Sequence, residues 1–234
     1  MWGDMENRNL RRGWRLGGPV FVVGFIASLV LGAVLARGSV FLPTATVGQL
    51  RDYYEHSGTA VAVSSLLQLV AAAGLLRFGL GVSAAVDADR HARYAIWLAA
   101  GTFAVSSALA LALAAVASRA DDATLVVLAR LTLAVGGPFH LTGLAGLLWY
   151  VSRRAQAQGR GPRWLLLFGA AVGPLLLFSL ISIPVPVVTR VEPLWRLLAA
   201  VWITGVSAGG LARAASGAPG AVSPRTERES SAEG

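Results

Sequence analysis

Cysteine and lysine are both absent from this chain, and acidic side chains are scarce: 12 Asp and Glu stand against 20 basic residues, every one of them arginine. Without cysteine there can be no disulfide, no thiolate metal site and no cysteine nucleophile. The missing lysine fits a GC-rich coding sequence better than a physical demand for guanidinium. Charged residues of any kind make up only 14% of the chain, whereas 55% is hydrophobic and the mean hydropathy is +0.63. Those values lie outside the soluble globular range. The net charge of +8 is not a nucleic-acid footprint, because the arginines gather in alternate loops rather than along one helix face.

Recognisable reaction centres are lacking as well. A metal centre needs three or four convergent ligands, and His140 is the one such residue at membrane depth. A serine nucleophile needs an adjacent base and an oxyanion site; the spacing Gly205-Val206-Ser207-Ala208-Gly209 stands in an apolar run with no His, Asp or Glu beside it. No glycine-rich loop ends in Lys-Ser or Lys-Thr to cradle phosphate. Haem ligation by His140 would need a second histidine, and His56 and His91 fall in loops. No catalytic residue, metal or cofactor is therefore expected.

What the chain does contain is long uncharged runs: Leu16–Ala36, Ser57–Leu76, Tyr94–Ser118, Leu131–Ser152, Trp164–Thr189 and Leu197–Ala212. A spanning helix needs about 20 mostly apolar residues at 1.5 Å each. Five runs reach that length, and the sixth does so with Trp195 and Arg196 seated at its outer interface. With the N-terminus inside, the inner segments hold Arg8, Arg11, Arg12, Arg15, Arg77, Arg90, Arg93, Arg153, Arg154, Arg160, Arg163, Arg213, Arg225 and Arg228. The outer side holds Arg37, Arg51, Arg119, Arg190 and Arg196, while Arg130 lies within a span. This asymmetry places both termini in the cytoplasm. The first span also resembles a signal peptide ending in Val34-Leu35-Ala36, but its apolar stretch exceeds the usual 7–15 residues.

The expected architecture is thus all-α: a polytopic membrane protein with six transmembrane helices in one bundle. A basic segment (1–15) precedes the membrane domain (16–213), and a tail (214–234) too poor in apolar residues to fold follows it. Gly24, Ser28, Gly32 and Ala36 form a small-residue stripe on the first span, for packing within the bundle or against a second copy. In the first outer loop, Thr46 and Gln49 have capping-box spacing. Val47, Leu50 and Tyr54 share one face of a short amphipathic helix, Thr46–His56, expected to lie on the outer interface with Tyr53 and Tyr54 as anchors. Asp87, Asp89 and His91 alternate, a spacing that does not converge on one helix face, and read as a solvated inner turn.

Polar groups inside the membrane mark candidate sites. His140 is near the middle of the fourth span, after Gly136, Gly137 and Pro138, a turn that proline and glycine loosen. Its imidazole can satisfy a carbonyl freed there, relay a proton or contact a ligand. Gln68 sits at about the same depth in the second span, Ser106 and Ser107 lie in the third, and Gly173-Pro174 forms a second loosened turn. Together these residues are candidates to line one mid-membrane polar pocket. Arg130, nearer the outer end, either extends its guanidinium to the interface, pairs with Glu55, Asp121, Asp122 or Glu192, or forms an outer anion site.

The Thr46–Tyr54 segment leading into Leu66-Leu67-Gln68, followed by Gly136-Gly137-Pro138 and a hydrophobic fourth span, resembles a group of uncharacterised actinobacterial six-span membrane proteins filed under a domain of unknown function. The resemblance covers most of residues 16–212. It implies a bacterial plasma-membrane protein and supplies no activity. The functional expectation is a non-enzymatic component that binds lipid, a membrane-protein partner or a second copy of itself. A small-solute or proton-coupled permease using His140 and Gln68 is the alternative, and a membrane-embedded enzyme comes third.

Overall fold

The computed structural model describes residues 2–37 and 45–211, and these are helical almost throughout. The chain forms α1 (Trp2–Leu35), α2 (Val47–His56), α3 (Gly58–Ala85), α4 (Arg90–Val116), α5 (Asp122–Ala134), α6 (His140–Ala157), α7 (Arg163–Leu176) and α8 (Glu192–Gly205). A wide π-turn, Val135–Phe139, joins α5 to α6, so the two run as one rod. Two 3₁₀ segments, Leu177–Ser182 and Pro186–Val191, connect α7 to α8. The expected tail from 214 and loop residues 38–44 lie outside the described residues.

Five helical segments among the described residues are long and apolar enough to cross a membrane: Gly13–Leu35, Gly58–Ala85, Arg90–Val116, Asp122–Ala157 and Arg163–Ser182. The sixth expected span is shorter. Pro193 in the first turn starts α8 at Glu192, and its 14 α-helical residues pass into a 5-residue π-turn, Val206–Gly210, where Gly209 has φ 102°. α1 is continuous from Trp2 through the basic segment into its apolar stretch.

Helices adjacent in sequence are neighbours in space. α1 packs on α3, α3 on α4, α4 on α6, α6 on α7 and α7 on α8, which returns beside α1 and closes a ring. Lipid tails are as apolar as leucine, so such contacts must come from close packing rather than from excluded water. Small residues supply it. A Cβ on Gly17 would lie 2.6 Å from the Gly74 carbonyl, and one on Gly143 would lie 2.3 Å from the Ala99 nitrogen. Gly24 and Gly32 face Ala71 and Ser64 of α3, which turns the small-residue stripe of α1 into the bundle. The opposite face of α1 carries exposed Leu16, Val20, Val23, Ile26, Val30 and Val34. Its most apolar window has a mean hydropathy of 2.4 yet is only 28% buried. Apolar surface on that scale belongs against lipid.

The two ends of the bundle differ. At the end away from α2, exposed Tyr94, Trp97, Trp149, Tyr150 and Trp164 form an aromatic girdle, with the Arg153 guanidinium 5.5 Å from the Trp149 ring centre. At the other end α2 docks on the bundle. Leu50 and Tyr54 are buried against Val61, Leu113, Ala117, Leu125 and Ala129. Arg51 donates to the Ala117 and Ala120 carbonyls at the end of α4 and pairs with Asp122 at 2.8 Å.

Candidate functional site

The π-turn inside the α5–α6 rod organises the polar interior. Pro138 has no N–H to donate, and a wide turn leaves helix carbonyls available to other partners. Arg196, one turn into α8, donates from its guanidinium to the Gly136 carbonyl. On α4, the Ser106 hydroxyl donates to the Thr132 carbonyl at 2.9 Å. Gly136 and Gly137 do more than loosen the turn. A Cβ on Gly136 would lie 2.2 Å from Ser106 Oγ, and one on Gly137 would lie 2.5 Å from Glu192 Oε2. Both glycines make room for polar side chains of neighbouring helices.

Those groups surround a cavity of about 330 Å³ in the half of the bundle nearest α2. Tyr53 and Tyr54 of α2 stand at its upper edge; Gln68, Phe103, Ser106, Gly136, Glu192 and Arg196 line its deeper part. From Val61 to Gln68 along α3 the lining descends about 10 Å at 1.5 Å per residue. Gln68 Oε1 lies 3.2 Å from the Ser107 hydroxyl, whose single hydrogen also faces the Phe103 carbonyl at 2.9 Å. A second cavity, about 430 Å³, lies on the other side of Glu192 and is lined by Arg130, Leu133, Pro138, Ser182 and Thr189.

Glu192 and Arg196 are the charged centre of this region. The Glu192 carboxylate is 3% exposed, and Arg196 Nη2 stands 3.9 Å from Oε2, within ion-pair range but beyond a hydrogen bond. Glu192 Oε1 accepts from the Ser182 hydroxyl at 2.8 Å. That single hydroxyl hydrogen also faces the Ser179 carbonyl at 2.6 Å, so the carboxylate receives it only in part. The Arg196 guanidinium carbon lies 5.8 Å from the Phe25 ring centre, and its Nε has no hydrogen-bond partner among the described residues. A buried ion pair this loosely bonded recovers little of its desolvation cost.

His140 is not part of the cavity lining. It is fully buried and stacks on Phe103 at 4.6 Å, with Phe21 6.5 Å away. Its Nδ1 lies 2.8 Å from the Ala99 carbonyl of α4. A carbonyl only accepts, so Nδ1 carries the proton, and Nε2 has no partner among the described residues. The imidazole thus bonds a neighbouring helix rather than a carbonyl of the loosened turn, where Arg196 takes that of Gly136. With Phe21, Phe25 and Phe103 it forms an aromatic layer below the cavity.

The remaining sequence candidates are scattered. Gly173 packs on α6, where a Cβ would lie 2.9 Å from the Ala145 carbonyl; neither it nor Pro174 lines the cavity. Arg130 is exposed and forms no ion pair among the described residues, its place being the wall of the second cavity. The structure therefore brings Gln68, Ser106, Ser107, Gly136 and Gly137 together and leaves His140 beneath them. Sequence reasoning missed the charged floor, because Arg196 was assigned to the outer interface. The available signal was Glu192 and Arg196 at i, i+4 on a helix opening with Pro193. No family model, curated protein or solved structure matches the chain.

Proposed function

We propose that this protein is a non-enzymatic binding component of a bacterial plasma membrane, taking a small polar or lipid-derived ligand into the cavity below α2. In this reading α8 and its π-turn complete a sixth span, both termini are cytoplasmic, and the cavity faces outward. The arginine-rich turns and the aromatic girdle at the opposite end support that orientation. The observation that carries the reading is a polar cavity with a charged floor, Glu192 and Arg196, inside a bundle whose outer faces are apolar. Intramembrane charge is expensive and persists chiefly where it serves a ligand or a partner.

Binding fits better than transport because the cavity stops at the layer of Phe21, Phe25, Phe103 and His140. A proton path through His140 would need polar groups on both sides of the ring, and it has aromatic faces instead. The test is proton flux into sealed vesicles holding the purified protein and a pH-sensitive dye. The binding reading expects flux equal to that of protein-free vesicles. It also expects His140→Ala to lower thermal stability without changing flux. Flux above that background, abolished by His140→Ala, would establish the permease instead.

A further inference from the structure

Glu192 Oε2 and the Arg196 guanidinium present opposite charges side by side in one cavity, and both keep hydrogen-bonding capacity that no described residue uses. Arg196 spends one nitrogen on the Gly136 carbonyl. Glu192 accepts only the shared Ser182 hydrogen on its other oxygen. Their 3.9 Å separation admits ligand atoms on both groups at once. A purely anionic ligand would meet Glu192, and a purely cationic one would meet Arg196. An apolar ligand would leave this loosely bonded pair without the further hydrogen bonds that offset its desolvation.

From this geometry we infer that the ligand is zwitterionic, its primary ammonium held by Glu192 and its anionic oxygen group held by Arg196, with the two ligand charges only a few ångströms apart. The ammonium supplies hydrogens that the carboxylate lacks, and the anionic group accepts from the guanidinium in charge-assisted bonds. Gln68 and Ser106 flank the same space. α-Amino acids and the phosphoethanolamine headgroup share this chemistry. The inference rests on the proposed binding role.

The test is calorimetric titration of the full-length protein in phosphatidylcholine nanodiscs with glycine, phosphoethanolamine, acetate, ethylammonium and 6-aminohexanoate, and thermal stability in discs doped with phosphatidylethanolamine. Binding of glycine identifies a soluble amino-acid ligand. Stabilisation by phosphatidylethanolamine or binding of phosphoethanolamine identifies a headgroup. Either outcome supports the inference if acetate, ethylammonium and 6-aminohexanoate, whose charges are too far apart, do not compete. Glu192→Gln keeps the side-chain shape and the Ser182 contact, and should weaken the zwitterion by roughly 10–100-fold. Acetate or ethylammonium binding as well as the zwitterions would overturn the assignment, as would unchanged affinity in Glu192→Gln. If no zwitterion binds while a Ser64→Cys thiol in the cavity wall still reacts with a hydrophilic reagent, the ligand assignment falls and the cavity stands. If that thiol is also inert, the binding role falls with it.

Discussion

At the scale of single residues, glycines sort sharply by what faces them. Gly143 lies where α6 comes closest to α4, and that approach is what lets His140 reach the Ala99 carbonyl. Gly101, also on α4, has open space where a Cβ would go. Gly143→Ala should therefore destabilise the protein by about 1–3 kcal/mol through overpacking. Gly101→Ala should stabilise it by up to about 1 kcal/mol, the helix-propensity difference. Thermal unfolding in detergent measures both, and equal effects would contradict the packing described. Hydrophobicity cannot tell these two glycines apart, because the difference lies in a neighbouring helix. The same limit hid the role of Gly136 and Gly137. Sequence marks them as a loosened turn, but only the fold reveals Ser106 and Glu192 filling the space that a side chain would occupy.

Among the elements, α2 and the N-terminus of α4 illustrate what local chemistry makes legible. The Thr46 hydroxyl accepts from the Gln49 amide at 3.4 Å, and Gln49 Oε1 accepts from the Thr46 amide at 2.9 Å, closing the capping box within four residues. That pattern is written in sequence spacing, whereas the docking of α2 on α4 and α5 through Arg51 is not. Arg51→Ala should speed hydrogen exchange across α2 while leaving α3 protected, and unchanged exchange would show that the carbonyl contacts do not hold it. Burial pushes the Tyr54 phenol above its ordinary value, with neighbouring Tyr53 adding to the shift. An unfolded tyrosine ionises first, so docking of α2 is fully favoured below pH 10 and weakens at higher pH. Asp89 begins α4, accepting from the His91 amide at 3.0 Å and the Ala92 amide at 3.2 Å. The hydrogen bond from the His91 ring, aided by these amides, holds its carboxyl below the usual range against an opposing effect of desolvation. A lowered carboxyl stabilises the fold above its unfolded value near pH 4 and loses that contribution as pH falls through the folded one. Asp89→Ala should cost about 0.5–2 kcal/mol, and Asp89→Asn should retain most of the cap without the pH dependence. Matched thermal melts at neutral and acidic pH separate the two variants.

Across the whole molecule, long apolar runs make the helical bundle plain before any coordinates, because a backbone in lipid must satisfy its own hydrogen bonds. The order of helices around the ring follows from short connections between antiparallel neighbours. What composition cannot supply is depth. Arg196 and Glu192 sit at the edge of an apolar run, where charge ordinarily meets water, and the 3₁₀ segments after α7 fold over them and make that edge an interior. The proposal is that a polar cavity opens to the outside of the cell and is closed below by aromatic rings. The natural absence of cysteine permits a direct measurement with single-cysteine variants and a membrane-impermeant thiol reagent, applied to intact cells and to inside-out vesicles. Ser64→Cys and Gln68→Cys should react only in intact cells, Arg90→Cys only in inside-out vesicles, and Ser152→Cys, buried in the far half of the bundle, in neither. Protection of Gln68→Cys in intact cells, or its reaction from the vesicle side, would contradict the account.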